Sequence, residues 1–389
     1  MLEIILLFYI FIALVSFLLT KDFFHPSVIV SGMWSFLLFL YKFCNHPLWD
    51  LSNTFFMVLS LWVVPFVLMS LFISKLAWRS TFSYNKIRPF APYRYRKYYP
   101  FAIIYSLLFA PAFFIYAKGF TIAATKAILI GKEPPPLINL LLYLNPLLTV
   151  FVYYGILNYK KIGKWKVIFL LTLLLFMTAF KGNKTSYLSL FIGTSFLLKS
   201  KKMLKIKYVI GSFIVLTGFL IWVSVGRADY DWEQDSSILN FLYIYFLSPL
   251  PSVDMILQHE WFLEAGAPMS ATFSFFYKIL NTFGLDFKIA QTSEWVYVPL
   301  PNNVFTTLRP FYVDGGYLWI AIMACVLGGI WGVIYVFQKR GSIVATLFYA
   351  AMVSSLCYQS FDDYFFRDLS VVIQYYFYSI LVVRGFKFK

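Results

Sequence analysis

A chain of 389 residues that is 61% hydrophobic and only 13% charged, with 45 Phe and 29 Tyr, is not built from soluble domains. The composition predicts an all-α polytopic integral membrane protein, one membrane domain over residues 1–389. The net charge of +16 then reads as Lys and Arg gathered in cytoplasmic loops, not as a nucleic-acid surface.

In chain order, "MLEIILLFYIFIALVSFLLT" lacks a basic leader and a small-residue cleavage site, so it is expected to be a retained first helix. Apolar runs near spanning length follow, and we place spans near 2–20, 27–41, 53–74, 100–117, 137–157, 167–180, 185–198, 208–225, 316–337, 343–359 and 369–383. That is about eleven, the second, sixth and seventh being short. The connections "KLAWRSTFSYNKIRPFAPYRYRKYY", "YKKIGKWK", "KSKKMLKIK" and the C-terminal "RGFKFK" are basic. Placing them inside gives cytoplasmic segments 22 of the 33 basic residues and, of 17 acidic ones, only Asp22. The N-terminus is therefore expected outside and the C-terminus inside. Residues 226–315 form one large extracytoplasmic loop between the eighth and ninth helices. Within it, 236–252 is an apolar run too short to span, expected to be an interfacial or re-entrant helix stopped by Pro249 and Pro251. Cys44, Cys325 and Cys357 have no metal or redox spacing and read as small core residues.

The remaining charges carry the chemistry. Lys181 and Lys184, Arg227, Arg309 and Asp314, and the run Asp362, Asp363, Arg367 and Asp368 all fall at expected outer helix ends. Charge beside hydrocarbon is costly and usually functional, and arginine's planar fork suits phosphate. Each has a plainer reading. Lys181 and Lys184 suit snorkelling anchors, Arg367 suits pairing with Asp362 or Asp363, and Arg227 suits pairing with the acidic run that follows it. That run lacks the glycine and closing glutamate of a calcium loop. His259 is a candidate base, though a lone loop histidine is more often surface, and His25 and His46 look like punctuation before proline. No nucleotide, metalloprotease or hydrolase motif occurs, so no cofactor or metal is expected.

One stretch carries a resemblance. Asn303-Val304-Phe305-Thr306, then Phe311-Tyr312, then Asp314-Gly315-Gly316, just before a helix that follows a large late loop, is similar to the bacterial O-antigen and oligosaccharide repeat-unit polymerases of the Wzy type. The "HPSVIVSGMWSFLLFLYKF" passage and a cation between the sixth and seventh helices also resemble that family. Glycine at 315 stands where the family usually has an aromatic, and lysine at 181 or 184 where it often has arginine.

The resemblance implies a multi-pass protein of the bacterial inner membrane. It would transfer a glycan from undecaprenyl pyrophosphate to the next lipid-linked repeat unit at the periplasmic face. Partners would be the lipid-linked donor and acceptor, membrane lipids, a chain-length regulator and a flippase, with no nucleic acid. Arg309 and Arg227 would stabilise the departing pyrophosphate, and Asp314 would act as base or orient an arginine, with His259 behind it. Substrate contacts would come from Lys181, Lys184, Asn303, Thr306, Tyr312, Gly315, Gly316, Asp362, Asp363 and Arg367, and Trp295, Tyr297 and Tyr312 are candidates for a sugar-stacking groove. The Gly315-Gly316 pair would turn the chain sharply into the ninth helix. Alternative functions are an O-antigen ligase, another lipid-linked-sugar glycosyltransferase, or a polysaccharide transporter or flippase. Nearly charge-free spans speak against transport, and the lack of an arginine beside His259 speaks against a ligase.

Overall fold

The structure, a computed structural model, describes residues 1–79, 92–117, 136–180, 184–204, 218, 246–259, 266–289, 296–299 and 301–384. Among them six helices are long and apolar enough to cross a membrane: Leu2–Thr20, Pro26–Phe43, Asn53–Leu76, Leu140–Leu157, Leu308–Lys339 and Ile343–Ser360. The spans predicted near 100–117, 167–180, 185–198 and 369–383 fall in helices Pro92–Ala117, Lys164–Phe180, Lys184–Ser200 and Leu369–Arg384. The span predicted near 208–225 lies outside the described residues except for Gly218. A two-residue antiparallel pair, Val296–Tyr297 with Pro301–Asn302, is the β-structure among them.

Several hydroxyls of these helices are satisfied within their own helix. Ser31, Ser35, Ser60, Ser106, Thr149 and Thr178 each donate a hydroxyl to the carbonyl four residues earlier, so none presents an unsatisfied donor to hydrocarbon. Ile4, Leu7, Phe11, Leu14 and Leu18 are exposed at alternating steps of three and four along the first helix. That spacing makes one continuous apolar stripe, the face such a helix turns to lipid. His25 is helix punctuation in a physical sense: its Nδ1 accepts from the Ser27 N–H and caps the Pro26–Phe43 helix, with Pro26 in the first turn. Pro249 and Pro251, expected to close an apolar run, instead open the helix Pro249–Gln258. Proline in a first turn forfeits an N–H that has no helical partner anyway.

The chain divides into two compact units. The first comprises Met1–Tyr84, Ser236–Arg340 and Ser355–Val372, and the second Asn85–Asp235, Gly341–Ser354 and Ile373–Lys389. In the second unit Gly193 lies against the Ala350 carbonyl and the Tyr153 ring, where a side chain has no room. The first unit is centred on the packing of Asn53–Arg79 against Leu308–Lys339. Gly328 abuts the Phe66 backbone, and a Cβ at Gly332 would lie 3.0 Å from the Ser70 carbonyl. Small residues let the two backbones approach, as at other helix contacts in membranes.

That contact fixes a register and exposes a reversal. With Gly328 level with Phe66, the indole of Trp62 sits about 6 Å further along, one helical turn. Yet Trp62 stacks on Phe311, ring centres 5.2 Å apart. In an unbroken helix Phe311 would lie about 25 Å from Gly328. The chain therefore folds back at Gly315 (φ −166°, ψ 20°) and Gly316 (φ 62°, ψ −151°), the non-helical residues between 308 and 339. Thr307 and Trp331 consequently line one small cavity.

Candidate active site

The fold-back segment is fastened at both ends. Thr306, fully buried, starts it: its Oγ1 accepts from the Leu308 N–H, and its carbonyl accepts from the Arg309 N–H at 3.1 Å. The Thr307 N–H donates to the Gln359 carbonyl at 2.7 Å, while the Gln359 side chain accepts from Trp62 Nε1 at 2.9 Å. At the far end Asp314 accepts from the backbone N–H groups of Ala271 (3.2 Å) and Thr272 (2.6 Å). Trp319 packs against Phe273 and reaches Thr272 through its indole N–H. Asp314 thus ties the 267–273 turn to the glycine hinge. Each of its oxygens accepts one of these backbone N–H groups.

Arg309 is 4% exposed, and its guanidinium lies over the Phe305 ring at 5.1 Å. Arg309 is the second residue of the Leu308–Lys339 helix, on the part that folds back before the glycine hinge. Tyr312 is buried, its ring 5.4 Å from that of Tyr317 across the hinge. Asn303 is exposed, and the neighbouring Asn302 is the structural one, donating to Ser252 Oγ and to the Val304 carbonyl at 2.6 Å each.

The Asp362–Asp368 turn stands beside this segment. Asp362, Asp363 and Tyr364 share a small cavity with Thr307, Leu327, Trp331 and Gln359. Asp363 is buried and accepts from the N–H groups of Phe365 (3.0 Å) and Phe366 (3.1 Å), and Arg367 Nη1 pairs with Asp362 Oδ2. The pairing anticipated as the plainer reading of Arg367 is the one present. Burial pushes the Asp363 carboxyl up to about 7, against the backbone N–H groups of Phe365, Phe366 and Arg367 and with help from the Asp362 charge. On the other side of the turn a polar cavity of about 230 Å³ is lined by Ser274, Lys278, Asp362, Asp363, Arg367 and Asp368, with Tyr364.

The structure brings Arg309, Asp314, Thr306, Tyr312, Gly315, Gly316, Asp362, Asp363 and Arg367 into the first unit. Lys181 and Arg227 lie outside the described residues, as do the Lys184 side chain and Trp295. His259 is exposed at the end of the Pro249–Gln258 helix, and Tyr297 is 60% exposed. Sequence reasoning missed Lys278, whose signal was a lone cation in the otherwise apolar, helix-spaced "SFFYKILNT". It also missed Asp254, a buried carboxylate in "PLPSVDMILQ" that accepts from the Ser52 N–H at 2.7 Å and from the Ser52 hydroxyl. There it faces the N-terminus of the Asn53–Arg79 helix, the positive end of its dipole. Trp62 and Gln359 carried no signal, because both are ordinary residues within apolar runs.

Among the described residues no group of three or more His, Cys, Asp or Glu side chains is arranged to hold a metal ion. What the arrangement offers is two cations, Lys278 and the Asp362-paired Arg367, and three carboxyls around one polar cavity, Asp363 among them raised to about 7, with a buried arginine on the adjoining folded-back segment. No family model, curated protein or solved structure matches the chain.

Proposed function

We propose that this chain is a membrane-embedded glycosyltransferase that polymerises lipid-pyrophosphate-linked oligosaccharide repeat units. The observation that carries the reading is the cavity of about 230 Å³ in which Lys278 and Arg367 stand beside Asp362, Asp363 and Asp368, within a unit otherwise made of apolar helices. The reaction needs those two kinds of group together. An acceptor hydroxyl attacks C1 of the donor sugar, its oxygen forming the new glycosidic bond while the C1–O bond to pyrophosphate breaks. The hydroxyl proton passes to a carboxylate, and the bonding pair leaves on the pyrophosphate.

Asp363 suits the proton transfer, since a group titrating near 7 is a base and an acid at neutral pH. Lys278 and Arg367 suit the leaving group, where charge develops, and Arg309 adds a third cation held in place by its burial. Asp314 supports the site by docking the turn that leads into the Lys278 helix. In this reading the site faces the periplasm of a bacterial inner membrane, and no nucleotide or metal is required.

A second reading, movement of a lipid-linked glycan across the membrane, draws on one observation: Arg309 is a buried cation on the segment that folds back at the glycine hinge, and a transport path would need such a cation. Deleting the gene in its host and resolving its surface polysaccharide on a gel distinguishes the two. Loss of the ladder with retention of a single-repeat band supports polymerisation. Complementation with Asp363→Asn, Lys278→Ala or Arg309→Ala at matched expression is expected to give that same single-repeat band. A core band carrying no repeat refutes polymerisation in favour of translocation or ligation, and an unchanged ladder refutes both.

A further inference from the structure

The helix Ser274–Thr282 carries two faces of opposite character. Ser274 and Lys278, one turn apart, share the face that lines the polar cavity of about 230 Å³. Phe276, Ile279, Leu280 and, at the C-cap, Phe283 fall on the opposite face, and all four are exposed, Phe283 at 80%.

This face is held in place. The Ala267 N–H donates to the Lys288 carbonyl at 2.9 Å, closing the segment from 267 to 288 on itself. Asn281 clamps the turn after the helix, donating to the Phe287 carbonyl and accepting from the Phe287 N–H at 2.9 Å each. The Tyr277 hydroxyl donates to the Pro268 carbonyl, and its ring meets Phe287 edge-on at 5.3 Å. A fastened apolar face left exposed marks a surface with a partner.

The neighbouring helix indicates which partner. Past the glycine hinge, Tyr317 to Lys339 is about 34 Å of helix, enough to cross a hydrocarbon core of about 30 Å. Leu318, Ile322 and Val326 are exposed along it at four-residue steps, the stripe this helix turns to lipid. Trp319, in its first turn, borders that stripe, where an indole marks the membrane boundary. From Trp319 a ladder of edge-on rings runs to Phe273 (6.4 Å) and on to Phe276 (6.2 Å), the first residue of the exposed face. The apolar face therefore begins at the membrane boundary and continues the lipid-facing surface.

We propose that the helix Ser274–Thr282 lies in the bilayer interface, its apolar face seated in lipid and its opposite face holding Ser274 and Lys278 toward the polar cavity. An amphipathic helix of this kind inserts about 5–10 Å into the boundary between headgroups and acyl chains. The lipid seat, together with the Asp314 tether, sets the height of the cavity above the hydrocarbon. The position of this helix is independent of the reaction assigned to that cavity.

Fluorescence quenching of full-length protein in nanodiscs tests this. In a background of Cys44→Ala, Cys325→Ala and Cys357→Ala, a bimane is attached at Lys278→Cys, Ile279→Cys or Phe283→Cys. The labels at 279 and 283 are expected to be quenched severalfold more than the label at 278 by phospholipid brominated high in its acyl chains, and severalfold less by aqueous iodide. Equal quenching by iodide at all three positions overturns the proposal, since the face then lies in water. Protection of 279 and 283 from both quenchers overturns it in favour of a protein cover, a second copy or another segment of this chain. A second measurement needs no substitution. In wild-type protein, a phospholipid with a diazirine high in its acyl chain is expected to label the peptide 274–288. An unlabelled 274–288 beside a labelled Leu2–Thr20 overturns the proposal even if the cysteine variants fail to fold.

Discussion

Replacing Asp314 with alanine removes the acceptor for two N–H groups, those of Ala271 at 3.2 Å and Thr272 at 2.6 Å. Both donors belong to residues almost without exposure, at 3% and 0%, so water does not readily replace the lost partner. A hydrogen bond to a charged group contributes about 1.5–3 kcal/mol, and one of these is long, so docking of the turn should weaken by about 3 kcal/mol. A segment whose docking weakens by that much opens about a hundredfold more often. Hydrogen–deuterium exchange of peptides covering 267–273, on full-length protein in nanodiscs, reads that opening directly. Asp314→Asn keeps one acceptor oxygen and should fall between, at about tenfold. The polysaccharide ladder should shorten in the same order. If exchange in the alanine variant stays within about threefold of wild type, the turn is held by other contacts and the anchoring role is refuted.

Three further outcomes follow from the geometry. The Asp363 carboxyl is raised from 3.8 to about 7, so the folded state binds more protons than the unfolded state across that interval. Its contribution to stability is therefore lost as pH rises from about 4 to about 7, and Asp363→Asn should flatten this slope in melting curves recorded from pH 4 to 8. Gly328→Ala places a Cβ against the Phe66 carbonyl and 3.0 Å from the Phe66 Cα. Separating two backbones costs about 1–3 kcal/mol, seen as a lower melting temperature and a weakened Trp62–Phe311 contact by fluorescence. Gly316→Ala forces a side chain into φ 62°, ψ −151°, a region nearly confined to glycine, and should cost about 1–3 kcal/mol in thermal unfolding.

How far the sequence reaches differs between the helices and the site. An apolar run of eighteen or more residues has to satisfy its own backbone, so Leu2–Thr20 and Asn53–Leu76 were readable directly from composition, while the second span was read short, at 27–41, and the helix runs Pro26–Phe43. The glycine pair at 315–316 was readable as a sharp turn, since few other residues tolerate such a conformation. Its consequence was not. Whether the chain turns outward or folds back depends on what waits beside it, here Trp62 for Phe311 and the Gln359 carbonyl for the Thr307 N–H. Asp362 and Asp363, placed by sequence at a helix end, accordingly line a cavity with Leu327 and Trp331.

The same reason governs Asp314, expected from sequence to act as base or to orient an arginine. A carboxylate takes the nearest donors that packing supplies, and those came from Ala271 and Thr272, more than forty residues away in the chain. Lys278 and Arg367 likewise share a cavity through contacts no local pattern encodes. Hydrophobic length and glycine are properties of short stretches, so the sequence by itself determined the helices and the hinge. Which distant polar groups meet is settled by close approach of backbones at Gly328 and Gly332, and only the tertiary structure decided it.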